Sequence, residues 1–404
     1  MTERRRIGYV LSQFPCYDET FILREIRALA ARGVEVTIFS LRRKPQAVVQ
    51  EDALELLPQT RYSTYLGPKP LFALASALFR SKAPLLSLVR RLAGDLWRRP
   101  LTLAKSLLFL PKTLHFADVA RRARIERLHA HWATHPATAA LLMSEMTGIP
   151  WSFTCHAHDI FRDPILLTHK LQSASFALTC TAHNKSYLDQ LANGSASRVR
   201  VSYHGLDLGL FRPPEGRPAK ARVEILAVGS LLPCKGFRYL LEACRQLRDR
   251  GVDCHTTIAG GGPEEESLRK LSSELGIERE VDLTGYVTQR DLVPLYRRAD
   301  VFVLPAVAEM HWGIPNVLVE ALACGLPVVT TPLPSVPELV EDGVSGILIE
   351  DGDARTLADC IERLARSPEL RRDMGRRGRE SVERKFDIER TIETVIEPLL
   401  GGAP

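Results

Sequence analysis

A lysine with flanking glycines follows a predicted buried strand in the second half of the sequence. The run is Val228-Gly229-Ser230-Leu231-Leu232-Pro233-Cys234-Lys235-Gly236. The backbone amides of such a loop, the N-terminus of the next helix and the Lys235 ammonium together suit a diphosphate. The spacing of a Walker A loop is absent, and taken alone the motif favours a lysine at an ordinary strand-to-helix turn.

A second loop is rich in glycine and then in acidic residues: Ala259-Gly260-Gly261-Gly262-Pro263-Glu264-Glu265-Glu266. Proline and carboxylates in a first turn are typical of a helix start. The glycines would let the base of a ligand approach the backbone closely. The dinucleotide-binding pattern Gly-x-Gly-x-x-Gly is not met, because Glu265 stands in place of its third glycine. Alone, this loop is a weak indication of a binding site.

A single carboxylate inside an apolar helix is the most specific feature. The run is Trp312-Gly313-Ile314-Pro315-Asn316-Val317-Leu318-Val319-Glu320-Ala321-Leu322-Ala323-Cys324-Gly325. A buried glutamate costs free energy unless it is hydrogen-bonded, and paired ribose hydroxyls could satisfy Glu320. The three patterns together predict a site for a nucleotide sugar.

Two histidine pairs, His129 with His131 and His156 with His158, could be taken for metal ligands. On strands, this spacing places both members of a pair on one face. No set of cysteines or acids accompanies them in the pattern, so the sequence does not favour a zinc site.

Alternating strands and helices must position these residues. Residues 7–13 form a predicted strand, 19–32 a helix and 34–41 the next strand. Such a βαβ opening predicts a parallel sheet covered by helices. Further strands of the first half are predicted at 127–130, 151–154, 176–181 and 199–203.

A Pro- and Gly-rich cluster at 212–218 interrupts the pattern and predicts a linker. The alternation then restarts. Strands are predicted at 223–229, 254–259, 281–284, 301–304, 327–330 and 346–350, and helices at 237–250, 263–275, 291–298 and 315–324. Two doubly wound domains are expected, with ligands in the cleft between them at the carboxyl ends of strands.

Length and composition agree with this organisation. A chain of 404 residues, 45% hydrophobic and 25% charged, is typical of a globular protein with two domains and excludes a disordered chain. No apolar run reaches the roughly 18 residues that span a bilayer. Eight cysteines without a Cys-x-x-Cys pair argue against a disulfide framework and predict a reducing, cytoplasmic location.

The net charge of +6 is concentrated in one segment. Residues 61–128 contain fourteen Lys or Arg against three acids, a net charge of +11, so the remainder of the chain carries −5. Prolines divide this leucine-rich segment into short predicted helices, with apolar faces at Leu71, Leu74, Ala75 and Leu78 and at 85–96. Such helices could lie on an anionic membrane surface, or pack their apolar faces on their own domain. Nucleic-acid binding is not expected, because no ladder of stacking aromatic residues is present.

The motifs resemble those of the retaining nucleotide-sugar glycosyltransferases of family 4, closest to the exopolysaccharide branch that resembles colanic acid glycosyltransferases. Outside 61–128 the resemblance extends over most of the chain. The matching runs of the first half are Phe14-Pro15, Glu19-Thr20-Phe21-Ile22, Leu128-His129-Ala130-His131-Trp132, Thr154-Cys155-His156-Ala157-His158-Asp159-Ile160, Thr179-Cys180-Thr181 and His204-Gly205-Leu206-Asp207 with Phe211.

The resemblance implies an α/β protein of GT-B fold, with two Rossmann-like doubly wound parallel-sheet domains facing an interdomain cleft. The expected parts are an acceptor-side domain at 1–211 with a basic insertion at 61–128, the linker, a nucleotide-sugar domain at 219–385, and a C-terminal helix and tail at 386–404. That helix is expected to cross back to the first domain.

The resemblance also implies roles for individual residues. The catalytic set is His156, Lys235 and Glu320. The donor-binding set is Gly229, Ser230, Lys235, Gly260, Gly262, Trp312, Gly313, Ile314, Pro315, Asn316 and Glu320. The acceptor-side set is Glu19, Thr20, His131, His158 and Asp159. No metal or other cofactor is expected, and Asp351-Gly352-Asp353 is interpreted as a turn.

Two departures from the family pattern bear on activity. Ser230 stands where the family usually has an arginine, and Trp312 stands where it has a glutamate that faces the donor sugar. The leading hypothesis is a retaining, metal-independent hexosyltransferase that uses a nucleotide sugar and a polyprenyl-linked saccharide acceptor, in the cytoplasm or peripherally on the inner face of the cell membrane. A nucleotide-sugar-binding or scaffolding protein without transfer activity is the alternative, and a nucleotide-sugar 2-epimerase is a further one.

Overall fold

The computed structural model describes residues 5–16, 19–43, 51–80, 82–192, 198–216, 222–307 and 313–401. Trp312 and residues 217–218 of the predicted linker therefore lie outside the described residues. The chain divides into two compact units, which we call unit 1 (Met1–Gly205 with Glu389–Pro404) and unit 2 (Leu206–Ile388).

Unit 1 is built on a parallel sheet. Its strands within the described residues are β1 (Arg6–Gln13), β2 (Glu35–Arg42), β3 (Thr60–Arg61), β4 (Arg127–His131), β5 (Trp151–Cys155), β6 (Ala177–Thr179) and β7 (Val199–Val201). They lie in the order β3-β2-β1-β4-β5-β6-β7, and neighbouring strands are parallel. The helices of this part of the chain are α1 (Thr20–Ala31), α2 (Glu51–Leu54), α3 (Pro68–Arg80), α4 (Lys82–Leu96), α5 (Pro100–Leu108), α6 (Leu110–Arg122), α7 (His135–Thr147), α8 (Leu167–Ser173) and α9 (Ala182–Leu191).

Unit 2 repeats the plan with six described strands. They are β8 (Val223–Val228), β9 (Cys254–Ala259), β10 (Val281–Gly285), β11 (Val301–Leu304), β12 (Val328–Thr330) and β13 (Gly346–Leu348), in the parallel order β10-β9-β8-β11-β12-β13. The helices are α10 (Phe237–Asp249), α11 (Glu265–Glu274), α12 (Gln289–Arg298), α13 (Asn316–Ala323), α14 (Ala354–Arg366) and α15 (Pro368–Lys385). The predicted pair of doubly wound sheets is confirmed.

The carboxyl ends of two strand pairs are the natural places for a ligand. In each sheet the first strand lies beside the fourth, β1 beside β4 and β8 beside β11. Chain connections leave these two strands toward opposite faces of the sheet, so their carboxyl ends border a crevice. The predicted site residues Glu19 and Lys235 follow β1 and β8, whereas the loops at His156 and Gly260 follow the neighbouring strands β5 and β9.

The predicted strand at 176–181 is shorter than expected, and the reason is a helix cap. β6 ends at Thr179, and the side chain of Thr181 accepts a hydrogen bond from the amide of Asn184 at 3.0 Å. Thr181 is therefore the N-cap of α9, so it cannot continue the strand.

The last helix of the chain, α16 (Ile388–Leu399), packs in unit 1, as expected. Its residues Ile392, Val395, Ile396 and Leu399 belong to the same buried cluster as the inward face of α1. Arg32 at the end of α1 also pairs with carboxylates of α16. The predicted turn at Asp351–Asp353 is also present, and Asp353 accepts a hydrogen bond from the amide of Thr356 at the start of α14.

Within the described residues, the basic segment contains four helices, α3 to α6. The first turns of α4, α5 and α6 contain Pro84, Pro100 and Pro111, respectively. The apolar face predicted for α4 is buried, with Leu88 and Leu92 fully enclosed. The apolar face predicted for α3 is not its buried side, although Leu74 packs partly against the core. Ala73 and Ala77 point inward because small side chains let α3 pack closely on α6, while Leu71 and Leu78 are exposed.

Within the described residues, no single helix has the length and apolar composition to cross a bilayer. Only α3 and α4 taken together pass that test, and they are bent by 106° at their junction.

The described packing of α4 can be tested by substituting two of its leucines, Leu86 and Leu88, which lie two positions apart. Leu88 is completely buried, whereas Leu86 is 54% exposed. We expect Leu88→Ala to lower the free energy of unfolding by about 2–5 kcal/mol, because it leaves a cavity. Leu86→Ala should change it by less than about 0.5 kcal/mol. Chemical denaturation of the two variants measures both values, and equal effects would contradict the described orientation of α4.

Candidate functional site

Aromatic and imidazole rings gather at the carboxyl edge of the unit 1 sheet. His131 ends β4 and His156 follows β5, and their ring centroids lie 5.8 Å apart. The Trp132 ring lies 4.4 Å from that of His156, and Phe21 of α1 stacks on His204 at 4.0 Å. His131 and His156 are both buried.

His156 has an unusual environment. Burial, together with the neighbouring histidines, lowers the pKa of His156 well below its ordinary value, so its ring is neutral. Its buried Nε2 has no hydrogen-bond partner among the described residues. A buried nitrogen without a partner costs free energy, so a ligand that supplies a partner would bind favourably here.

Asp159 holds the loops around His156. Its carboxylate accepts a hydrogen bond from the His156 amide at 2.6 Å and another from the Ala133 amide. Burial raises the pKa of Asp159, and these amides oppose that effect. The predicted acceptor-side residue Asp159 therefore contacts backbone and joins the loop after β4 to the loop after β5.

Lys170 of α8 completes this arrangement. The side chain is fully buried and donates to the carbonyl oxygens of Ala133 at 2.5 Å and Thr134 at 2.9 Å. Burial lowers the pKa of Lys170, while Asp159 opposes that shift. Trp132 directly precedes these contacts and has a positive φ of 79°, and its amide donates to the Thr154 carbonyl oxygen at 2.9 Å.

Glu25 of α1 forms a second buried network. It accepts a hydrogen bond from the Tyr9 hydroxyl at 2.6 Å and contacts His131 Nε2 at 3.0 Å. Burial alone would raise the pKa of Glu25, but His131, His129 and Tyr9 lower it to about 2. Since the carboxylate is ionised, Nε2 of His131 donates the proton of this contact, and Nδ1 is left buried without a described partner.

His129 has a structural role. Its two ring nitrogens contact the hydroxyls of Ser152 and Thr154, both at 2.9 Å. Burial lowers its pKa to about 3, so the ring is neutral.

A cavity of about 290 Å³ in unit 1 contains two of the predicted acceptor-side residues, Glu19 and His158. Glu19 accepts a hydrogen bond from the Trp132 indole at 2.9 Å. His158 is exposed, and Thr20 is the half-buried first residue of α1. Polar and basic side chains dominate the rest of the lining, including Ser12, Arg42, Thr102, Lys105, Thr134, His135 and Asp163.

In unit 2, the predicted glycine loops after β8 and β9 lie against each other. A Cβ on Gly260 would come within 1.9 Å of the Gly229 carbonyl oxygen, and one on Gly262 within 2.6 Å of the Leu231 carbonyl oxygen. Glycine is thus required at both positions for the two backbones to approach. This packing fixes the course of the loop that leads to Lys235.

Lys235 is half-buried, and its aliphatic chain lies beside Gly229. Burial lowers its pKa. Ser230, in the position of the family arginine, is exposed. Gly236, which follows with a φ of 68°, must be glycine because a Cβ would come within 1.9 Å of the Pro305 carbonyl oxygen.

Glu320 lies buried in α13, as its apolar neighbours predict. One carboxylate oxygen accepts a hydrogen bond from the hydroxyl of Tyr296 at 2.9 Å, and Tyr296 is itself fully buried. Gly313, Ile314 and Pro315 are half-buried and directly precede this helix, which begins at Asn316. The Tyr296 hydroxyl therefore stabilises one oxygen of the carboxylate within the protein itself.

The predicted catalytic residues divide between the units, with His156 in unit 1 and Lys235 and Glu320 in unit 2. Glu25, Lys170 and Tyr296 were not among the residues predicted from the sequence. Glu25 follows the buried Ile22 by three positions, and Lys170 follows Leu167 by three, so an ionisable residue on a buried helix face was the available signal. Tyr296 likewise follows the buried Val293 by three positions on α12.

Two family models match the chain in succession. The model described as Glycosyltransferase Family 4 matches residues 19–210, and the model described as Glycosyl transferases group 1 matches residues 212–381.

The chain is also similar to known glycosyltransferases. The chain is 30% identical to a glycosyltransferase assigned to colanic acid biosynthesis in Escherichia coli (strain K12), over 98% of this chain and 100% of that protein. It is 34% identical to an amylovoran biosynthesis glycosyltransferase of Erwinia amylovora over 42% of either chain. The solved structure of HepE from Anabaena in complex with UDP matches with a TM-score of 0.69 at 18% identity, over 98% of this chain and 99% of that one. The structural likeness identifies the fold as GT-B.

The Glu25 network predicts a pH dependence of stability. A carboxyl whose pKa falls from 4.5 to about 2 on folding stabilises the fold above pH 4.5 and loses that contribution as the pH falls toward 2. The full contribution is about 3 kcal/mol. We therefore expect the difference in unfolding free energy between the wild type and Glu25→Gln to be constant above about pH 5 and to narrow below pH 4.5.

Denaturant titrations between pH 3 and pH 7 measure this difference. Glu35→Gln is the control, because Glu35 is 57% exposed and pairs with Arg6 on the surface. Its effect should stay within about 1 kcal/mol at every pH. A Glu25→Gln difference that does not change with pH would contradict the described network.

Proposed function

This chain belongs to glycosyltransferase family 4, and from that membership we propose that it transfers a hexose from a nucleotide sugar to a lipid-linked saccharide in exopolysaccharide synthesis. We propose that transfer retains the anomeric configuration and needs no metal ion. The observation that supports the lipid-linked acceptor best is the position of α5, which contributes basic and polar lining to the unit 1 cavity and also exposes apolar side chains.

Donor binding is assigned to unit 2. Lys235 would neutralise charge on the diphosphate, aided by the amides at the start of α13. Glu320, held by Tyr296, would accept hydrogen bonds from the ribose hydroxyls. The described position of Ser230 is compatible with this role, because its exposed side chain leaves the loop open to a ligand.

The reaction proposed for these residues needs no enzyme nucleophile. The acceptor hydroxyl attacks the anomeric carbon from the face that the diphosphate leaves, and the departing phosphate oxygen takes the hydroxyl proton. Lys235 and backbone amides stabilise the charge that develops on the leaving group. His156, held by Asp159 through its amide, would contact the donor sugar, and positioning of this kind supplies much of the rate.

The acceptor is assigned to the unit 1 cavity. Arg42 and Lys105 place two cations in its lining, which suits the diphosphate of a polyprenyl carrier. Glu19 and His158 provide hydrogen-bonding groups for sugar hydroxyls. On the same helix as Lys105, Leu101 is 77% exposed, so the carrier's apolar chain would have a surface to follow.

A membrane surface is the proposed location of this acceptor. Phe72, Phe79 and Trp97 are 74%, 93% and 67% exposed, on or next to α3 and α4. Arg80 and Lys82 lie nearby in the chain, so these exposed aromatic side chains with cationic neighbours would meet the inner face of an anionic membrane. Other arginines of the segment have partners in unit 1: Arg91 pairs with Glu145, and Arg99 with Asp163.

Transfer is tested with purified protein, nucleotide sugars and polyprenyl-diphosphate-linked saccharides. We expect Lys235→Ala to lower kcat/KM about 10–100-fold, since it removes one charge-assisted contact to phosphate. Lys270→Ala should leave the rate unchanged, because Lys270 is 77% exposed on α11. If the protein binds the donor but forms no product, and Lys235→Ala does not change its behaviour, a nucleotide-sugar-binding protein without transfer activity is favoured instead. Conversion of the donor to its 2-epimer without acceptor would favour an epimerase.

Membrane contact is tested by flotation with vesicles that contain phosphatidylglycerol. We expect a triple variant of Phe72, Phe79 and Trp97 to serine to lower the vesicle-bound fraction at least about tenfold, because burial of each aromatic side chain contributes about 1.5–3 kcal/mol. Replacing the exposed Leu232 and Tyr286 of unit 2 by serine is the control. Equal flotation of the triple variant and the wild type would rule out this surface.

A further inference from the structure

Three soft or borderline metal ligands meet at the carboxyl edge of the unit 1 sheet. His156, Cys180 and His204 each contribute one ligand atom, and these three atoms lie within 4.8 Å of one another. The sheet order explains the grouping: the three residues follow β5, β6 and β7, which are neighbouring parallel strands. From this geometry we propose that His156, Cys180 and His204 form a zinc-binding site, and that zinc bound there inhibits sugar transfer.

The donor set is the kind that zinc prefers. Two imidazole nitrogens and one thiolate are typical ligands, with bond lengths of about 2.0–2.3 Å, and three protein ligands leave a fourth position for water. Ligand atoms of a tetrahedral zinc ion lie roughly 3.5 Å apart, so small side-chain rotations would close the observed cluster. The three residues are distant in sequence, so no metal-binding spacing motif predicts them.

Two observations favour a ligand at this place. The buried Nε2 of His156 has no partner among the described residues, so a metal ion would satisfy it. The side-chain amide of Asn184 donates to Cys180 Sγ at 3.8 Å, and Cys180 directly precedes the N-cap of α9, so the sulfur is held in place at the start of this helix. Zinc binding would release the thiol proton to solvent.

A second cluster of the same kind, Glu25 with His129 and His131, does not suit a metal. Both nitrogens of His129 already contact hydroxyls, and Glu25 is bonded to Tyr9 and His131. A metal ion would have to break these contacts, whereas at His156 it would supply a missing one.

Inhibition rests on the proposed function, because the proposed transfer reaction uses His156. A ring nitrogen bound to zinc cannot contact the donor sugar, so metal-free and metal-bound protein should differ in transfer rate. Zinc binding itself does not depend on that role, and the two parts are tested by different measurements.

Binding is measured with Co²⁺ as a probe, in the full-length chain without substrates. We expect a thiolate-to-cobalt charge-transfer band in the near ultraviolet, which Zn²⁺ removes by displacement. Cys180→Ser should abolish the band, and His204→Gln should weaken cobalt binding at least about tenfold. Cys360→Ser, which changes a half-buried thiol of unit 2, should leave the band intact. Circular dichroism establishes that the variants are folded.

The absence of a band in the wild type, or a band that survives in Cys180→Ser, would overturn the site. Inhibition is then measured in the transfer assay. Zinc should lower the transfer rate of the wild type, whereas the transfer rate of His204→Gln with zinc should stay close to the rate of the same variant without metal. A wild type that shows the band but transfers equally fast with zinc would overturn the inhibitory role. If no transfer occurs even without metal, the proposed function fails, and the cobalt spectrum still decides whether the site exists.

Discussion

The pairing of the first strand with the fourth in each parallel sheet determines where the site residues of this glycosyltransferase lie. β1 bonds to β4 in unit 1 and β8 to β11 in unit 2. Because the connections leave these pairs toward opposite faces of the sheet, the carboxyl edge of each pair stays open. Glu19, His131 and the loop at Lys235 lie at these edges, whereas His156 and Gly260 follow the neighbouring strands β5 and β9.

Buried polar contacts give the unit 1 edge its definite geometry. Asp159 and Lys170 bind backbone groups of the loop after β4, and Asp159 also binds the amide of His156. Such groups are costly to bury alone, so each stabilises the fold only while its partners are in place. His156 differs in having a ring nitrogen without a described partner, and this connects the proposed sugar transfer with the inferred metal site.

The basic segment combines two interpretations that the sequence left as alternatives. Helix α4 packs its leucines inside unit 1, as an ordinary insertion would, while α3 exposes Leu71, Phe72 and Phe79. The residue pattern does not separate these cases, because the inward face of α3 consists of the small residues Ala73 and Ala77, which add little to a hydrophobic periodicity. Of the four residues predicted to share an apolar face on α3, Leu71, Ala75 and Leu78 are exposed and Leu74 packs partly against the core.

The sequence by itself determined the two doubly wound sheets, most strand positions, the loop at Lys235 and the buried Glu320, because these depend on local periodicity and on turn residues close in the chain. The tertiary structure alone decided which distant side chains meet. Tyr296 reaches Glu320, Glu25 reaches His131, and Cys180 lies with His156 and His204. Strand order creates these contacts, and strand order is set by packing between segments far apart in the sequence.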